Sequence, residues 1–97
     1  MTLAELRATL GNPAPPDGLA PPVRALWLEA SGDWDAAHRT VQAESDASAA
    51  WVHAYLHRRE GDPSNAAYWY RRAGRPVCEE PLEREWEAIV GALLAGD

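Results

Sequence analysis

The sequence lacks several residue types and patterns, and each absence argues against a class of protein. None of the 97 residues is Phe or Lys, and the single cysteine, Cys78, cannot close an internal disulfide bond. Because cytosolic thiols are kept reduced, one unpaired cysteine fits a cytoplasmic location, which we predict. No apolar run approaches the roughly 20 residues that a membrane-spanning helix needs. The amphipathic N-terminus is also unlike a secretory signal peptide, so we expect no membrane partner.

Basic charge is scarce as well. Nine arginines stand against fifteen acidic residues, which gives a net charge of −6. Because nucleic-acid binding requires a basic surface that neutralises phosphates, we expect no nucleic-acid partner. The charge is uneven: residues 58–75 hold five arginines and two acids, a local charge of +3, so the rest of the chain carries −9. This asymmetry predicts either an oriented contact, with an acidic partner or a second copy, or a set of solvated helix faces.

What the sequence does contain is a succession of helix signals. Thr2 and Glu5 form a capping box, and the apolar spacing that follows predicts a short docking helix over residues 1–11. Five of the eight prolines fall within residues 12–22, which predicts an extended, semi-rigid strap. Residues 81–95 carry a long apolar stripe at helical spacing and predict a C-terminal capping helix. The expected fold is therefore a single all-α domain over residues 1–97.

Between the strap and the last helix, residues 22–76 contain a repeated turn. The segments that begin at Gly32-Asp33 and at Gly61-Asp62 share the Gly-Asp pair, an Ala-Ala pair and a following aromatic or imidazole ring, 29 residues apart. Two copies of helix, turn and helix predict two antiparallel helical hairpins. Neither hairpin buries its apolar face alone, so stacking is expected to complete the core.

The second copy resembles a known superfamily. Its small and aromatic residues follow the pattern of the tetratricopeptide repeat (TPR) at Ala54, Gly61, Ala66, Tyr70 and Ala73. The resemblance implies about two TPR-like hairpins and a function in protein or peptide binding, including self-association as a homodimer. It names no partner. The same stretch also resembles a group of small bacterial proteins, a likeness that implies the fold but no activity.

Large aromatic and basic side chains in the second copy predict a partner-binding face. Trp51, Tyr55 and Arg58 share one side of a helix through i, i+4 and i+7 spacing, and Trp and Arg are frequent at interface hot spots. The arginines that flank this face are Arg59, Arg71 and Arg72. The alternative is that Trp51 and Tyr55 pack beneath the last helix and fill a small core.

Two histidines support an alternative function. His53 and His57 have the i, i+4 spacing that places two imidazoles on one metal ion, which would make the protein a metal-binding protein or a metal-dependent enzyme. A third ligand would come from His38, Cys78 or an acid such as Glu79. The alternative is that both imidazoles face a neighbouring helix and form ordinary hydrogen bonds. Because no phosphate-binding loop, nucleophile elbow or catalytic triad is recognisable, the sequence favours a protein without catalytic activity and predicts no cofactor.

Overall fold

The structure is a computed structural model and describes residues 1–96. This part of the chain contains helices and no strands, so the predicted all-α class is confirmed. No helix within it is both long and apolar enough to cross a membrane. The six helices in residues 1–96 are α1 (Leu3–Ala8), α2 (Pro21–Ala30), α3 (Trp34–Gln42), α4 (Ala47–Arg59), α5 (Pro63–Ala73) and α6 (Leu82–Leu94).

The two Gly-Asp turns have the same geometry. The backbone φ angle is +95° at Gly32 and +87° at Gly61, a left-handed conformation that costs glycine little. The side chains of Asp33 and Asp62 then each accept a hydrogen bond from the backbone amide three residues later, which caps the next helix. These turns join α2 to α3 and α4 to α5, and the helices of each pair pack against each other. Membership of the TPR superfamily stays a prediction.

The segment before α2 differs from its prediction. Helix α1 ends at Ala8 rather than at residue 11, and the Thr9 and Leu10 amides then donate to carbonyls three residues back. The Thr9 hydroxyl also donates to the Leu6 carbonyl, at 2.6 Å. The indole N–H of Trp27 in turn donates to that hydroxyl at 2.9 Å, which ties α1 to α2. Residues 11–20 follow turns and bends instead of one extended path, and Gly18 has a φ angle of +83°.

Helix α4 occupies the centre of the fold. Every residue from 49 to 57 is buried, and α4 packs against α2, α3, α5 and α6. Because neighbouring helices cover this part of α4, its buried residues occur on every side of the helix and not in one stripe. Helix α6 closes the core with Trp86, Ile89 and Val90, and the Trp86 indole N–H donates to the Leu26 carbonyl at 3.0 Å.

Candidate functional site

The residues of the predicted partner face do not form one exposed surface. Trp51 is 9% exposed and Tyr55 is 1% exposed, and both belong to the hydrophobic core. Together with Arg58 they do share one side of α4, but that side lies against α6 and the segment before it. The prediction that Trp51 and Tyr55 bind a partner is therefore corrected: their rings fill the core, as the alternative proposed.

Arg58 and Arg59 are held by buried carboxylates. Arg58 donates to the Glu85 carboxylate at 2.9 Å and also to the Glu80 carbonyl. Arg59 pairs with Glu29 at 3.1 Å. Burial raises the pKa of the Glu29 carboxyl, and the charge of Arg59 opposes that shift. These two arginines connect α4 to neighbouring segments, so their charges are already paired, although the Arg59 side chain is 41% exposed.

The flanking arginines of α5 have a different environment. Arg71 and Arg72 are exposed and form no ion pair within residues 1–96. Arg72 lies 5.8 Å from the ring centroid of Tyr68 and donates a 3.2 Å hydrogen bond to its hydroxyl. Tyr68 is itself 43% exposed. Of the six predicted partner-face residues, Arg71 and Arg72 thus lie at the surface outside the ion pairs formed within residues 1–96.

The two predicted metal-ligand residues meet a third histidine. His38 of α3 joins His53 and His57 of α4, and one ring nitrogen of each lies within 4.8 Å of the other two. The closest pair is His38 Nε2 and His53 Nε2, which are 2.9 Å apart. We call these three residues the histidine cluster. It spans the junction between the two helix pairs, because α3 belongs to the first pair and α4 to the second.

The other two proposed third ligands lie elsewhere. Cys78 lines a separate cavity beside Trp51 and Glu85, on the opposite side of α4. Glu79 is exposed in the segment before α6 and does not belong to the histidine cluster. At 100° per residue, positions 53 and 57 lie roughly opposite positions 51, 55 and 58 on the helix. One face of α4 therefore carries the ion-paired network, and the other carries the histidine cluster.

Two tryptophans enclose the histidine cluster. The Trp34 ring stacks on His38 with centroids 4.9 Å apart and an interplanar angle of 9°. The Trp69 ring stacks on His53 with centroids 3.7 Å apart and an angle of 10°. The Trp34 indole N–H donates to the Leu56 carbonyl at 2.7 Å, which fixes that ring against α4. Sequence reasoning assigned neither ring to this site, although the i, i+4 spacing of Trp34 and His38 is a signal that could have found the first.

The histidine cluster contains hydrogen bonds, and a metal ion would have to replace the one between His38 and His53. His57 Nδ1 lies 2.6 Å from the Glu60 carboxylate and donates to it, so in the neutral ring Nε2 is the nitrogen that carries the lone pair. In the contact between His38 and His53, one Nε2 donates and the other accepts. Burial lowers the pKa of His38 and lowers the pKa of His53 to about 4, and neighbouring histidines add to both shifts. Both imidazoles are therefore neutral at pH 7, the form that binds metal ions.

A comparison of the chain with protein-family models, with curated proteins and with solved structures finds no match.

Proposed function

We propose that the protein binds one divalent transition-metal ion, such as Zn²⁺, through His38, His53 and His57. The observation that carries this proposal is the convergence of three ring nitrogens from two helices. With Zn–N bonds of about 2.0–2.1 Å, two nitrogens of a tetrahedral site lie about 3.3 Å apart. One ring nitrogen of each histidine lies within 4.8 Å of the others, so small side-chain shifts would bring them to that spacing, with bonds to the metal replacing the 2.9 Å hydrogen bond between His38 and His53.

The donor set also determines the class of metal. Imidazole nitrogens suit Zn²⁺, Cu²⁺, Ni²⁺ and Fe²⁺, whereas Mg²⁺ and Ca²⁺ prefer oxygen ligands. The contact of Glu60 with His57 Nδ1 is the carboxylate support that metal-bound histidines commonly have, because it fixes the ring and raises its basicity. We assign Glu60 as a positioning residue, not as a ligand.

Calorimetric titration of the protein, purified without a histidine tag, should show saturable uptake of one Zn²⁺ ion per chain. We expect His38→Gln to weaken binding more than about 100-fold, because it removes a ligand. Glu60→Gln should weaken binding by about 10- to 100-fold, which is the usual effect of losing a supporting carboxylate. Because His38 is half-buried whereas His53 and His57 are buried, His38→Gln should disturb the packing of the core less than a substitution of either other histidine.

Cys78→Ser and Glu79→Gln provide matched controls, because both change a potential ligand outside the histidine cluster. Their Zn²⁺ affinity should equal that of the unsubstituted protein. The visible absorption of Co²⁺ added to the unsubstituted protein provides a readout that needs no variant, since tetrahedral nitrogen coordination gives intense d–d bands. Absence of both saturable Zn²⁺ uptake and these bands would show that the cluster is only a packed group of rings.

A second function is favoured by the outer face of α5. We propose that this face contacts an acidic protein or peptide segment. Helix α5 contains no acidic residue, its Arg71 and Arg72 are exposed, and Arg72 donates a hydrogen bond to the hydroxyl of the exposed Tyr68. Arg and Tyr are frequent at interface hot spots, and the charge of +3 over residues 58–75 complements an acidic partner. The contact proposed from sequence thus moves from α4 to α5.

Arg71→Glu should weaken the binding of a fluorescently labelled, glutamate-rich peptide about tenfold at low ionic strength, or about 1.4 kcal/mol, because it reverses one charge of the α5 face. Fluorescence anisotropy measures this affinity. Arg39→Glu makes the same change of net charge on the exposed side of α3, and it should have a much smaller effect. Equal weakening by the two variants would mean that the peptide responds only to net charge. That result would contradict the proposal that the outer face of α5 contacts an acidic segment.

A further inference from the structure

We propose that two copies of the chain associate about a twofold axis that passes through the segment between α5 and α6. We call residues 75–80 the connector. Three features of the connector support the proposal: its charges of both signs, an exposed apolar side chain beside a cavity, and backbone amides that lie outside the helices. The contact involves neither the histidine cluster nor the outer face of α5, so it is independent of both proposed functions.

The connector carries charges of both signs. Arg75, Glu79 and Glu80 are exposed, and none of them forms an ion pair within residues 1–96. The guanidinium carbon of Arg75 lies 3.4 Å from the centroid of the Trp51 ring, which holds the side chain in place without neutralising its charge. A partner that complements this surface must therefore carry both signs in the reverse order.

A second copy of the chain meets this requirement by symmetry. In a twofold contact, a residue of one copy touches a different residue of the other copy, and the same contact occurs again with the roles exchanged. Val77 lies midway between Arg75 and Glu79 in the sequence. When two connectors run antiparallel with the axis at Val77, Arg75 of each copy lies opposite Glu79 of the other. The pair of chains then gains two contacts between opposite charges.

The centre of the connector is apolar and open to solvent. Val77 is 55% exposed, and among the large apolar side chains of residues 1–96 only Met1 is more exposed. Val77 lies on the wall of a cavity of about 400 Å³, together with Trp51 and Cys78. The amides of residues 77–79 donate to no backbone carbonyl within residues 1–96. A second connector would remove Val77 from water and supply carbonyl acceptors to these amides.

Sedimentation velocity over a wide range of protein concentration tests the proposal, with a chelator present so that no metal ion joins two copies. We expect a reversible increase from the mass of one chain to that of two. Glu79→Arg should weaken this association about tenfold or more, because it places like charges opposite each other in both contacts. Glu44→Arg is the matched control: it makes the same change of net charge at an exposed acid after α3, and it should associate like the unsubstituted chain.

A mixture of two variants tests the register of the contact. Arg75→Glu should weaken association as Glu79→Arg does. In a pair formed by one chain of each variant, one contact keeps its original charges and the other has both charges reversed. The mixture should therefore associate about as strongly as the unsubstituted chain. If loss of the contact with Trp51 unfolds Arg75→Glu, which circular dichroism would show, the comparison of Glu79→Arg with its control still decides.

Three results would overturn the proposal: a protein that stays monomeric at every concentration, equal association of Glu79→Arg and Glu44→Arg, or a mixture of folded variants that associates no better than either variant alone. The first result would leave the connector to a different protein, and the other two would exclude the contact between Arg75 and Glu79. None of these results bears on Zn²⁺ uptake or on the binding of the acidic peptide, so the proposed functions are tested separately.

Discussion

Replacement of Glu85 by Ala should lower the free energy of unfolding by about 3 kcal/mol. The Glu85 side chain is 3% exposed, accepts a hydrogen bond from the Tyr70 hydroxyl and pairs with Arg58 at 2.9 Å. Removal of one partner from a buried ion pair typically costs about 3–5 kcal/mol, because the other charge is left unpaired. The side chain of Arg58 is 21% exposed, so water compensates part of this loss, and we expect the lower end of the range.

Urea denaturation, followed by the helical circular-dichroism signal, measures this change. Glu83→Ala is the matched control on the same helix, because the Glu83 side chain is 78% exposed and its distance to Arg59 is 3.7 Å. Its effect should stay within about 0.5 kcal/mol. If the two variants were equally stable, the network of Glu85, Arg58 and Tyr70 would not hold α4 and α5 to α6.

Trp86→Ala should destabilise the protein by about 3–5 kcal/mol, the usual cost of deleting a large buried ring. Trp86 is 6% exposed, and its indole N–H donates a hydrogen bond to the Leu26 carbonyl at 3.0 Å. The substitution therefore removes both the ring that closes the core and the bond between α6 and α2. The same urea denaturation measures the loss of stability.

Trp86→Phe separates the two contributions. A phenyl ring keeps most of the buried area but leaves the Leu26 carbonyl without its indole donor, so we expect a loss of about 1–3 kcal/mol. A Phe variant as unstable as the Ala variant would mean that the hydrogen bond, and not the buried ring, attaches α6. The prediction based on packing would then be wrong.

The part of the fold that depends on local chemistry could be predicted from the sequence. The Gly-Asp turns and the capping box involve residues a few positions apart, so short motifs specify their geometry. The segment over residues 11–20 could not be predicted as well. Its prolines favour extended backbone, but Gly18 adopts a positive φ angle, and α1 already ends at Ala8.

The partner face and the histidine cluster could not be predicted from the sequence alone, because both depend on how the helices pack. Helical periodicity correctly placed Trp51 with Tyr55, and His53 with His57, on shared faces of α4. Periodicity does not show what covers each face, and in the structure both of these faces of α4 are buried by neighbouring segments. The position of His38 beside His53 depends on how α3 packs against α4, across 15 residues of chain. A spacing rule within one helix cannot predict a contact between two helices.

The most direct test of the central claim is the imidazole nitrogen NMR spectrum of the unsubstituted protein, recorded with and without one equivalent of Zn²⁺. The chain contains only three histidines, and all three belong to the histidine cluster, so each signal can be assigned to the site. If they bind metal together, one ring nitrogen of every histidine should shift, and the shifts should be complete at one ion per chain. An unchanged spectrum, or shifts confined to one or two rings, would contradict the proposed site.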